Sequence, residues 1–336
     1  MVERVQALRA GRAKPAGPIQ VAVPPDFDFG WASRFLSARM VPSIEMVSGD
    51  GLERVMWLDP ESDDPRAVAI SIEYQRRAAG ASPRTGERAT SARFLARSAP
   101  EVPVGKLRSA VVGMFDLDAD LSEFAEIARR DPILGLVVGK AWNELRLLQL
   151  LDPFEALVRA ILGQQVSLAA ARTLTDRLVK LVATPAPRLR SGDIIPLARP
   201  RFAFPRPEAV AELGKARLRT IGLTGAKAAA VHAAGAAVAN GQIDFGELRR
   251  SQPEQTDQAL RSLPGVGAWT AAYVRLRGLG DRDAFPVADL GLIRALGALG
   301  VARSRMQATA EQWRPWRGYA TLHLWKFLRA APELTG

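Results

Sequence analysis

Residues 263–296 combine side chains that could do chemistry. The segment contains a Pro-Gly-Val-Gly turn, an aromatic residue at the start of a predicted helix, Trp269, and a carboxylate twenty positions later, Asp289. Gly265 and Gly267 can adopt positive φ and carry no Cβ, so another backbone can approach them closely. The N–H groups that open the following helix suit a phosphate, because the helix dipole lies behind them. On its own, the turn fits an ordinary connection between helices equally well.

Each candidate side chain also has a structural interpretation. Trp269 and Tyr273 are four positions apart and share one helical face, so they are either core residues or walls of a pocket. Asp289 precedes the apolar helical segment "LGLIRALGAL" and is predicted to be its N-cap. Capping and catalysis are compatible, since a carboxylate at a helix N-terminus can also stabilise a developing cation.

The composition favours a polyanionic partner. The chain of 336 residues has 46 Lys and Arg against 35 Asp and Glu, a formal charge of +11. Nucleic acid is the first candidate and an anionic membrane surface the second. No stretch approaches the roughly eighteen consecutive apolar residues of a spanning helix. We therefore expect no membrane partner, a cytoplasmic and nucleoid-associated protein, and a monomer.

Residue types that are rare or absent exclude several chemistries. With no Cys, the chain cannot form disulfides, thiolate metal sites or a cysteine nucleophile. The two histidines, His232 and His323, lie on predicted helices without partner ligands, so we expect packed or surface roles. The opening segment, residues 1–18, is basic and lacks the apolar core of a secretory signal, so it is predicted to be a tail.

The pattern changes from mixed to helical near residue 103. Before that point, strand-like alternation in residues 67–74, a turn-forming cluster at 59–65 and helical spacing around Trp31 and Phe35 indicate a small α/β domain. After it, apolar residues recur three or four apart in a series of helical segments. A Pro/Arg-rich stretch, residues 184–204, interrupts the helices and is predicted to be an excursion loop.

Four segments in the same order resemble one known family. The hairpin with its Asp, "PPDFDFGWASRFLSARMVPSIE" (24–45), "DPFEALVRAILGQQVSLAAARTLTDRL" (152–178) and "PWRGYATLHLW" (315–325) are similar to the helix-hairpin-helix (HhH-GPD) DNA glycosylase superfamily. The likeness is strongest to its 3-methyladenine DNA glycosylase II (AlkA) type. Together the segments span most of the chain.

The resemblance implies an α+β fold. A small N-terminal mixed α/β domain with an antiparallel sheet is followed by a mainly α-helical, two-lobed body that carries the helix-hairpin-helix motif and flanks a cleft. The expected division is a tail at 1–18, an α/β domain at 19–105, a helical domain with the hairpin at 131–275, and a second helical domain formed by 106–130 plus 276–336.

The resemblance also implies roles for individual residues. Asp289 matches the catalytic carboxylate. The base pocket is matched by Trp269, Tyr273 and Trp325, and the DNA-binding hairpin by Gly265, Val266, Gly267 and Thr270. Val137 is the candidate for the residue that fills the gap left by a flipped nucleotide, with Val138 as the alternative. No cofactor is required, but a structural Na⁺ or K⁺ is expected on the backbone carbonyls of Arg261, Leu263 and Val266.

The implied activity is a monofunctional DNA glycosylase. Family members that also cleave the strand carry a Lys where this chain has Trp269, and a tryptophan cannot form a Schiff base. Electron-rich rings attract cations, so N-methylated purines such as 3-methyladenine and 7-methylguanine in double-stranded DNA are the expected substrates. Two alternatives remain: a non-catalytic helix-hairpin-helix protein that binds damaged DNA, and a glycosylase for uracil or oxidised bases on the same fold.

Overall fold

The computed structural model of the protein describes residues 17–58, 66–78, 90–99, 102–185 and 202–330. Three features predicted above lie wholly or mostly outside that part of the chain: residues 1–16 of the predicted tail (1–18), the turn cluster (59–65) and residues 186–201 of the Pro/Arg-rich loop (184–204). The two ends of the loop, residues 184–185 and 202–204, lie within the described part of the chain. Pro185 and Phe202 form an isolated antiparallel bridge, and Ala203 N donates to the Thr184 carbonyl over 3.0 Å.

A five-stranded sheet forms the N-terminal part, as the resemblance implied. Its strands are β1 (Ile19–Val23), β2 (Glu45–Ser48), β3 (Gly51–Leu58), β4 (Arg66–Ala78) and β5 (Thr90–Ala99). The order is β1-β5-β4-β3-β2 and every neighbouring pair is antiparallel. The predicted alternation lies in β4, where Val68, Ile70 and Ile72 are buried on one face of the pleat.

The remainder is helical, which confirms the predicted change of pattern. One helix, α1 (Phe29–Arg39), lies between β1 and β2. The others are α2 (Val104–Phe115), α3 (Ser122–Arg130), α4 (Pro132–Val138), α5 (Pro153–Gly163), α6 (Leu168–Val182), α7 (Pro207–Arg219), α8 (Gly225–Ala239), α9 (Phe245–Arg250), α10 (Pro253–Arg261), α11 (Ala268–Gly278), α12 (Leu290–Ala298), α13 (Met306–Glu311) and α14 (Arg317–Ala330). None of these described helices has the length and apolar character needed to cross a bilayer.

Local sequence explains where several helices begin. The pairs Asp131-Pro132 and Asp152-Pro153 open α4 and α5, with the Asp carboxylate accepting first-turn N–H groups and Pro in the first helical position. Asp28 caps α1 in the same way, accepting from Trp31 N over 2.7 Å. These caps determine the residues at which α1, α4 and α5 begin.

Two large apolar cores lie within the described residues, beside a small cluster of Val55, Ala69 and Ala203. The first joins the sheet, through residues such as Phe94, to α2 and to the last helices, through Trp313 and Leu322. The second lies among helices α5 to α11 and also takes in Val41 and Ile44. Tyr273 packs against both cores. The predicted domain limits stay a prediction, although the sheet clearly shares its core with helices from the far end of the chain.

A buried ion cluster connects β3 to α5. Arg54 pairs with both Glu45 and Glu155, and Arg159 contacts the same two carboxylates at 3.2 Å and 2.8 Å. Burial alone would lower the pKa of Arg54, but Glu155 and Glu45 outweigh burial and raise the pKa above its usual value. Buried charges of this kind are stable only when all partners are present.

Removing one member of this cluster tests its role. We expect Arg54→Met to lower the free energy of unfolding by about 3–5 kcal/mol, because two buried carboxylates each lose one of their two cationic partners and Arg159 alone is left to neutralise both. Urea denaturation measures the change. The matched control is Arg129→Met, whose partner is Glu126 and whose side chain is 66% exposed; it should change the value by at most about 1 kcal/mol. Equal losses in both variants would contradict a structural role for the cluster.

Candidate functional site

Asp289 is held by three hydrogen bonds from three different elements. It caps α12, as predicted, with Oδ1 accepting from Leu292 N over 3.1 Å. The same oxygen accepts from Trp325 Nε1 on α14 over 3.0 Å, while Oδ2 accepts from Trp269 Nε1 on α11 over 3.1 Å. The carboxylate is half-buried. Its two oxygens are therefore fixed in orientation and remain next to solvent.

The two indoles belong to a group of four aromatic side chains. We call this group the pocket aromatics: Phe35, Trp269, Tyr273 and Trp325. The Trp269 and Tyr273 rings are stacked with centroids 5.4 Å apart, and the Phe35 and Trp325 rings are stacked at 5.9 Å. Phe35 and Trp325 are buried, whereas Trp269 and Tyr273 are half-buried. The structure thus brings together the predicted residues Asp289, Trp269, Tyr273 and Trp325, and adds Phe35 from α1.

Two guanidinium groups lie beside the pocket aromatics. Arg39 Cζ is 3.6 Å from the Phe35 ring centroid and 5.8 Å from that of Trp325. Arg277 Cζ is 4.9 Å from the Phe35 centroid, and its Nη1 donates to the Tyr273 hydroxyl over 3.3 Å. Burial lowers the pKa of Arg39 to about 10, which leaves it charged at neutral pH. For Tyr273, burial would raise the pKa of the phenol, but Arg277 and Arg39 lower it.

The hairpin is formed by α10, a tight turn and α11. Gly265 has φ +76°, and a Cβ there would lie 2.8 Å from Ala230 Cβ, so glycine is required for both backbone and packing reasons. Gly267 differs from expectation. Its backbone is extended at φ −93°, and a Cβ would meet no atom within 4 Å. The space over Gly267 is open, which lets a large group approach the start of α11.

The N-terminus of α11 keeps its backbone donors exposed to outside groups. No side chain of the described residues caps this helix, and the N–H groups of its first turn have no acceptor within the helix itself. The Thr270 side chain is buried, and its hydroxyl accepts from Gln164 Nε2 over 2.8 Å; Gln164 also donates to the Gly265 carbonyl over 2.8 Å. Thr270 is therefore available to a ligand through its backbone only.

The carbonyls expected to hold a monovalent cation lie at the end of α10 and in the turn of the hairpin, and their role stays a prediction. Arg261 ends α10, where the helix dipole is negative, and Leu263 and Val266 lie in the turn that follows. Carbonyl oxygens suit hard cations. The Leu263 carbonyl accepts from Val266 N over 3.1 Å and retains a second lone pair.

The segment proposed to fill the gap of a flipped nucleotide is α4 and its end. Val138 is 2% exposed in the first core, which removes it as a candidate. Val137 is half-buried and packs against that core. Leu136, which the sequence reasoning did not single out, is 76% exposed. An exposed Leu can be inserted between bases without disturbing the core, so Leu136 joins Val137 as a candidate.

The histidines take no part in this site. His323 is buried against Phe124, with ring centroids 5.4 Å apart, and burial lowers its pKa to about 3. His232 is half-buried on α8. Among the described residues, no group of His, Cys, Asp or Glu side chains could hold a metal ion. The packed or surface role predicted for both histidines is confirmed.

A separate cavity of about 540 Å³ lies on the sheet side of the molecule. Its lining includes Tyr74, Trp142, Asp28 and Glu144, and does not include Asp289. Lys326, the residue after Trp325, donates to Asp28 over 3.1 Å and to Glu144 over 2.8 Å. Helix α14 therefore contacts both places, the lining of the cavity through Lys326 and the Asp289 carboxylate through Trp325.

The sequence reasoning missed several residues of the site. Arg277 is four positions after Tyr273, so helical spacing could have placed it beside that ring. Arg39 stands four positions after Phe35 within a segment that supported the family resemblance. Nothing in the sequence indicates that position 291 must be glycine, because the need for glycine arises from the Trp325 indole, which packs closely against it in the fold.

Comparisons with known proteins place the chain among DNA repair proteins. The family described as HhH-GPD superfamily base excision DNA repair protein matches residues 158–317. DNA-3-methyladenine glycosylase 2 of Escherichia coli is 31% identical over 306 residues, covering 90% of this chain and 94% of that protein. The probable bifunctional transcriptional activator/DNA repair enzyme AlkA of Mycobacterium tuberculosis is 39% identical over 220 residues, 64% of this chain. The chain spans about two fifths of that relative's length, since the match covers 41% of it.

Solved structures show the same fold. A 3-methyladenine DNA-glycosylase from Archaeoglobus fulgidus matches with a TM-score of 0.71 at 21% identity, covering 93% of this chain and 98% of that one. MBOgg1 in complex with a low affinity DNA ligand matches with a TM-score of 0.70 at 18% identity, covering 95% and 98%. The predicted α+β architecture is confirmed.

Gly291 offers a test of the carboxylate's geometry. A Cβ there would lie 3.0 Å from Asp289 Oδ1 and 3.3 Å from Trp325 Cδ1, so Gly291→Ala should push the two groups apart by a few tenths of an ångström. We expect exchange of the Trp325 indole N–H, followed by NMR, to accelerate roughly fivefold, equivalent to about 1 kcal/mol of hydrogen bonding.

The control for this variant lies in the same helix. A Cβ on Gly297 would meet nothing within 4 Å, so Gly297→Ala should leave the indole signal unchanged. An unchanged Trp325 exchange rate in Gly291→Ala would show that the carboxylate is not confined as described.

Proposed function

This chain belongs to the HhH-GPD superfamily of base excision DNA repair proteins, and on that premise we propose that it is a monofunctional DNA glycosylase that removes N-methylated bases from duplex DNA. The substrates are 3-methyladenine and 7-methylguanine, and the product is an abasic site. The observation that carries the proposal is one carboxylate, Asp289, oriented by two indole N–H groups at the edge of an aromatic pocket.

The hairpin supplies the contact with DNA. Phosphate approaches the uncapped N–H groups at the start of α11 over Gly267, where no side chain intervenes. Such contacts fix the position of the duplex without reading its sequence. The carbonyls of Arg261, Leu263 and Val266 would hold Na⁺ or K⁺, which adds positive charge where a phosphate passes. The protein acts as a cytoplasmic monomer.

The reaction requires the base to leave the duplex. Flipping costs a few kcal/mol, less where methylation has weakened pairing, and Leu136 or Val137 fills the gap. The flipped base stacks on the accessible pocket aromatics, Trp269 and Tyr273. Asp289 then lies beside the sugar and stabilises the oxocarbenium-like transition state or orients the attacking water. Its fixed orientation means that little reorganisation is needed as charge develops.

Strand cleavage is not part of the proposed activity. The position at which strand-cleaving relatives carry a Lys holds Trp269, and its indole N–H is engaged by Asp289. In the described part of the chain, no lysine donates to Asp289, and Lys326 is held by two other carboxylates. An amine nucleophile is therefore missing from the pocket wall that we describe, which supports a glycosylase without lyase activity.

Replacing the carboxylate tests this function. We expect Asp289→Asn to lower the rate of 3-methyladenine release from methylated duplex DNA by at least about a hundredfold, because a neutral amide cannot stabilise a developing cation. DNA binding, measured by fluorescence anisotropy, should be retained. Alkali should convert the wild-type product into strand breaks, and few breaks should form before alkali.

The matched control is another Asp that caps a helix. Asp244 is exposed and accepts from Glu247 N over 2.9 Å at the start of α9, so Asp244→Asn makes the same chemical change away from the pocket. It should keep full activity. If wild-type protein binds DNA but releases no methylated base, the proposal fails. Release of a deaminated or oxidised base would then favour the second glycosylase alternative, and release of no base at all would favour the non-catalytic damage-binding protein.

A further inference from the structure

The turn of the hairpin is bonded to a second turn of the chain. This second turn, residues 164–167, connects α5 to α6. The side-chain amide of Gln164 donates from Nε2 to the Gly265 carbonyl and to the Thr270 hydroxyl, each over 2.8 Å. A primary amide has two N–H donors, and these two contacts use both. Gln164 therefore connects the turn of the hairpin to the first turn of α11.

The backbone of this second turn is bound by Lys227, which lies in the first turn of α8. The Lys227 ammonium group donates to the Leu162 carbonyl over 2.9 Å and to the Gln164 carbonyl over 2.7 Å. Both carbonyls lie at the C-terminal end of α5, where the helix dipole favours a cation. Lys227 thus fixes the backbone of Gln164, while the Gln164 side chain reaches the hairpin.

Helix α8 also packs directly against the hairpin. A Cβ on Gly265 would lie 2.8 Å from the Cβ of Ala230, three positions after Lys227 and therefore close to the same face of α8. One helix consequently supports both turns, the hairpin through Ala230 and the end of α5 through Lys227.

We propose that Gln164 and Lys227 are positioning residues for DNA binding: together they hold the turn of the hairpin and the N-terminus of α11 in the arrangement that binds a phosphate. The inference rests on the hairpin contact with DNA that is part of the function proposed above. Both residues act through the hairpin and not through a phosphate contact of their own.

The physical reason is preorganisation. The first N–H groups of α11 must point at one phosphate, and no side chain of the described residues caps them, so their arrangement depends on the turn that precedes them. This turn contains Gly265 and Gly267, and glycine has the largest conformational freedom to lose. Contacts that order the turn before DNA arrives reduce the entropy cost of binding. Once the complex has formed, the site is the same with or without them.

The test compares Gln164→Met and Lys227→Met with wild type. Methionine keeps an unbranched chain and removes the donors. Single-turnover release of 7-methylguanine from duplex DNA, over a range of enzyme concentrations, gives the maximal rate and the half-saturating concentration. Each variant should raise the half-saturating concentration at least about fivefold, as expected for the loss of one net hydrogen bond. The maximal rate should stay within about twofold of wild type, because the saturated complex is unchanged.

Salt dependence separates positioning from direct phosphate contact. Fluorescence anisotropy at several salt concentrations gives the slope of log affinity against log salt. Loss of one phosphate contact reduces the magnitude of that slope by about one. We expect Lys227→Met to weaken binding with an unchanged slope. Lys227→Arg should recover part of the affinity, because a guanidinium can donate to both carbonyls.

Two exposed residues provide matched controls. Gln242 follows the C-terminal end of α8, a helix of 15 residues, and is therefore about 22 Å or more from the start of that helix. Lys180 lies in the last turn of α6 with its side chain 59% exposed. Gln242→Met and Lys180→Met make the same chemical changes away from the two turns, so each should bind DNA within about twofold of wild type.

A variant of Gly267 tests the hairpin contact itself. Gly267 is the N-cap residue of α11, and an Asp side chain there can accept the N–H groups of the first turn. Gly267→Asp should therefore keep or raise stability in urea denaturation. Its DNA binding should weaken at least about tenfold, because the donors are occupied and the added carboxylate repels phosphate.

The outcomes separate this inference from the function on which it rests. Weaker binding in Gln164→Met and Lys227→Met, with a wild-type maximal rate, an unchanged salt slope and recovery by Arg, supports the assignment. Weaker binding in Gly267→Asp without any change in Gln164→Met overturns it and leaves the hairpin contact standing. A salt slope reduced by about one in Lys227→Met, or a lower maximal rate at an unchanged half-saturating concentration, also overturns it.

Two results would reach the proposed function. Unchanged binding in Gly267→Asp overturns both the hairpin contact and the positioning roles. If wild-type protein binds DNA and releases no base, the glycosylase function fails, while the anisotropy measurements still decide whether Gln164 and Lys227 position the hairpin.

Discussion

One carboxylate with three donors organises this molecule. Asp289 accepts from its own helix and from two indoles that stand 20 positions before it and 36 positions after it in the chain. A hydrogen bond between a charged group and a buried or half-buried donor is stronger than one between neutral groups. The same contacts that orient the carboxylate therefore bind α11, α12 and α14 to one another, so the site's geometry and the packing of its helices cannot vary separately.

The cationic side of the pocket depends on the buried ion cluster. Arg159, a member of that cluster, also donates to the backbone carbonyl of Arg39. Glu45 and Glu155 hold Arg159, and both are paired in turn with Arg54 from the sheet. The charges of this cluster thus position the end of α1. The sheet contributes to the pocket through this chain of contacts, although the hydrogen bonds to Asp289 within the described residues all come from helices.

Sequence patterns predicted those features that depend on short-range geometry. The capping role of Asp289, the shared face of Trp269 and Tyr273, and the change from mixed to helical structure all follow from periodicity and position. The guanidinium groups beside the pocket aromatics did not follow, because Arg39 reaches these rings only after α1 packs against helices from the other end of the chain. Val138 was a poor candidate for the same reason: only tertiary packing decides which residue of α4 is exposed.

The shared first core has a consequence for how such proteins can change in evolution. The apolar face of the sheet, with Phe94 at its centre, packs on helices near the C-terminus, and the carboxylate of Glu155 needs Arg54 from β3. Loss of the sheet during evolution would expose an apolar surface and, at the same time, leave the buried carboxylate of Glu155 without Arg54. Both defects would have to be repaired together, so the N-terminal part is not a module that can be exchanged freely.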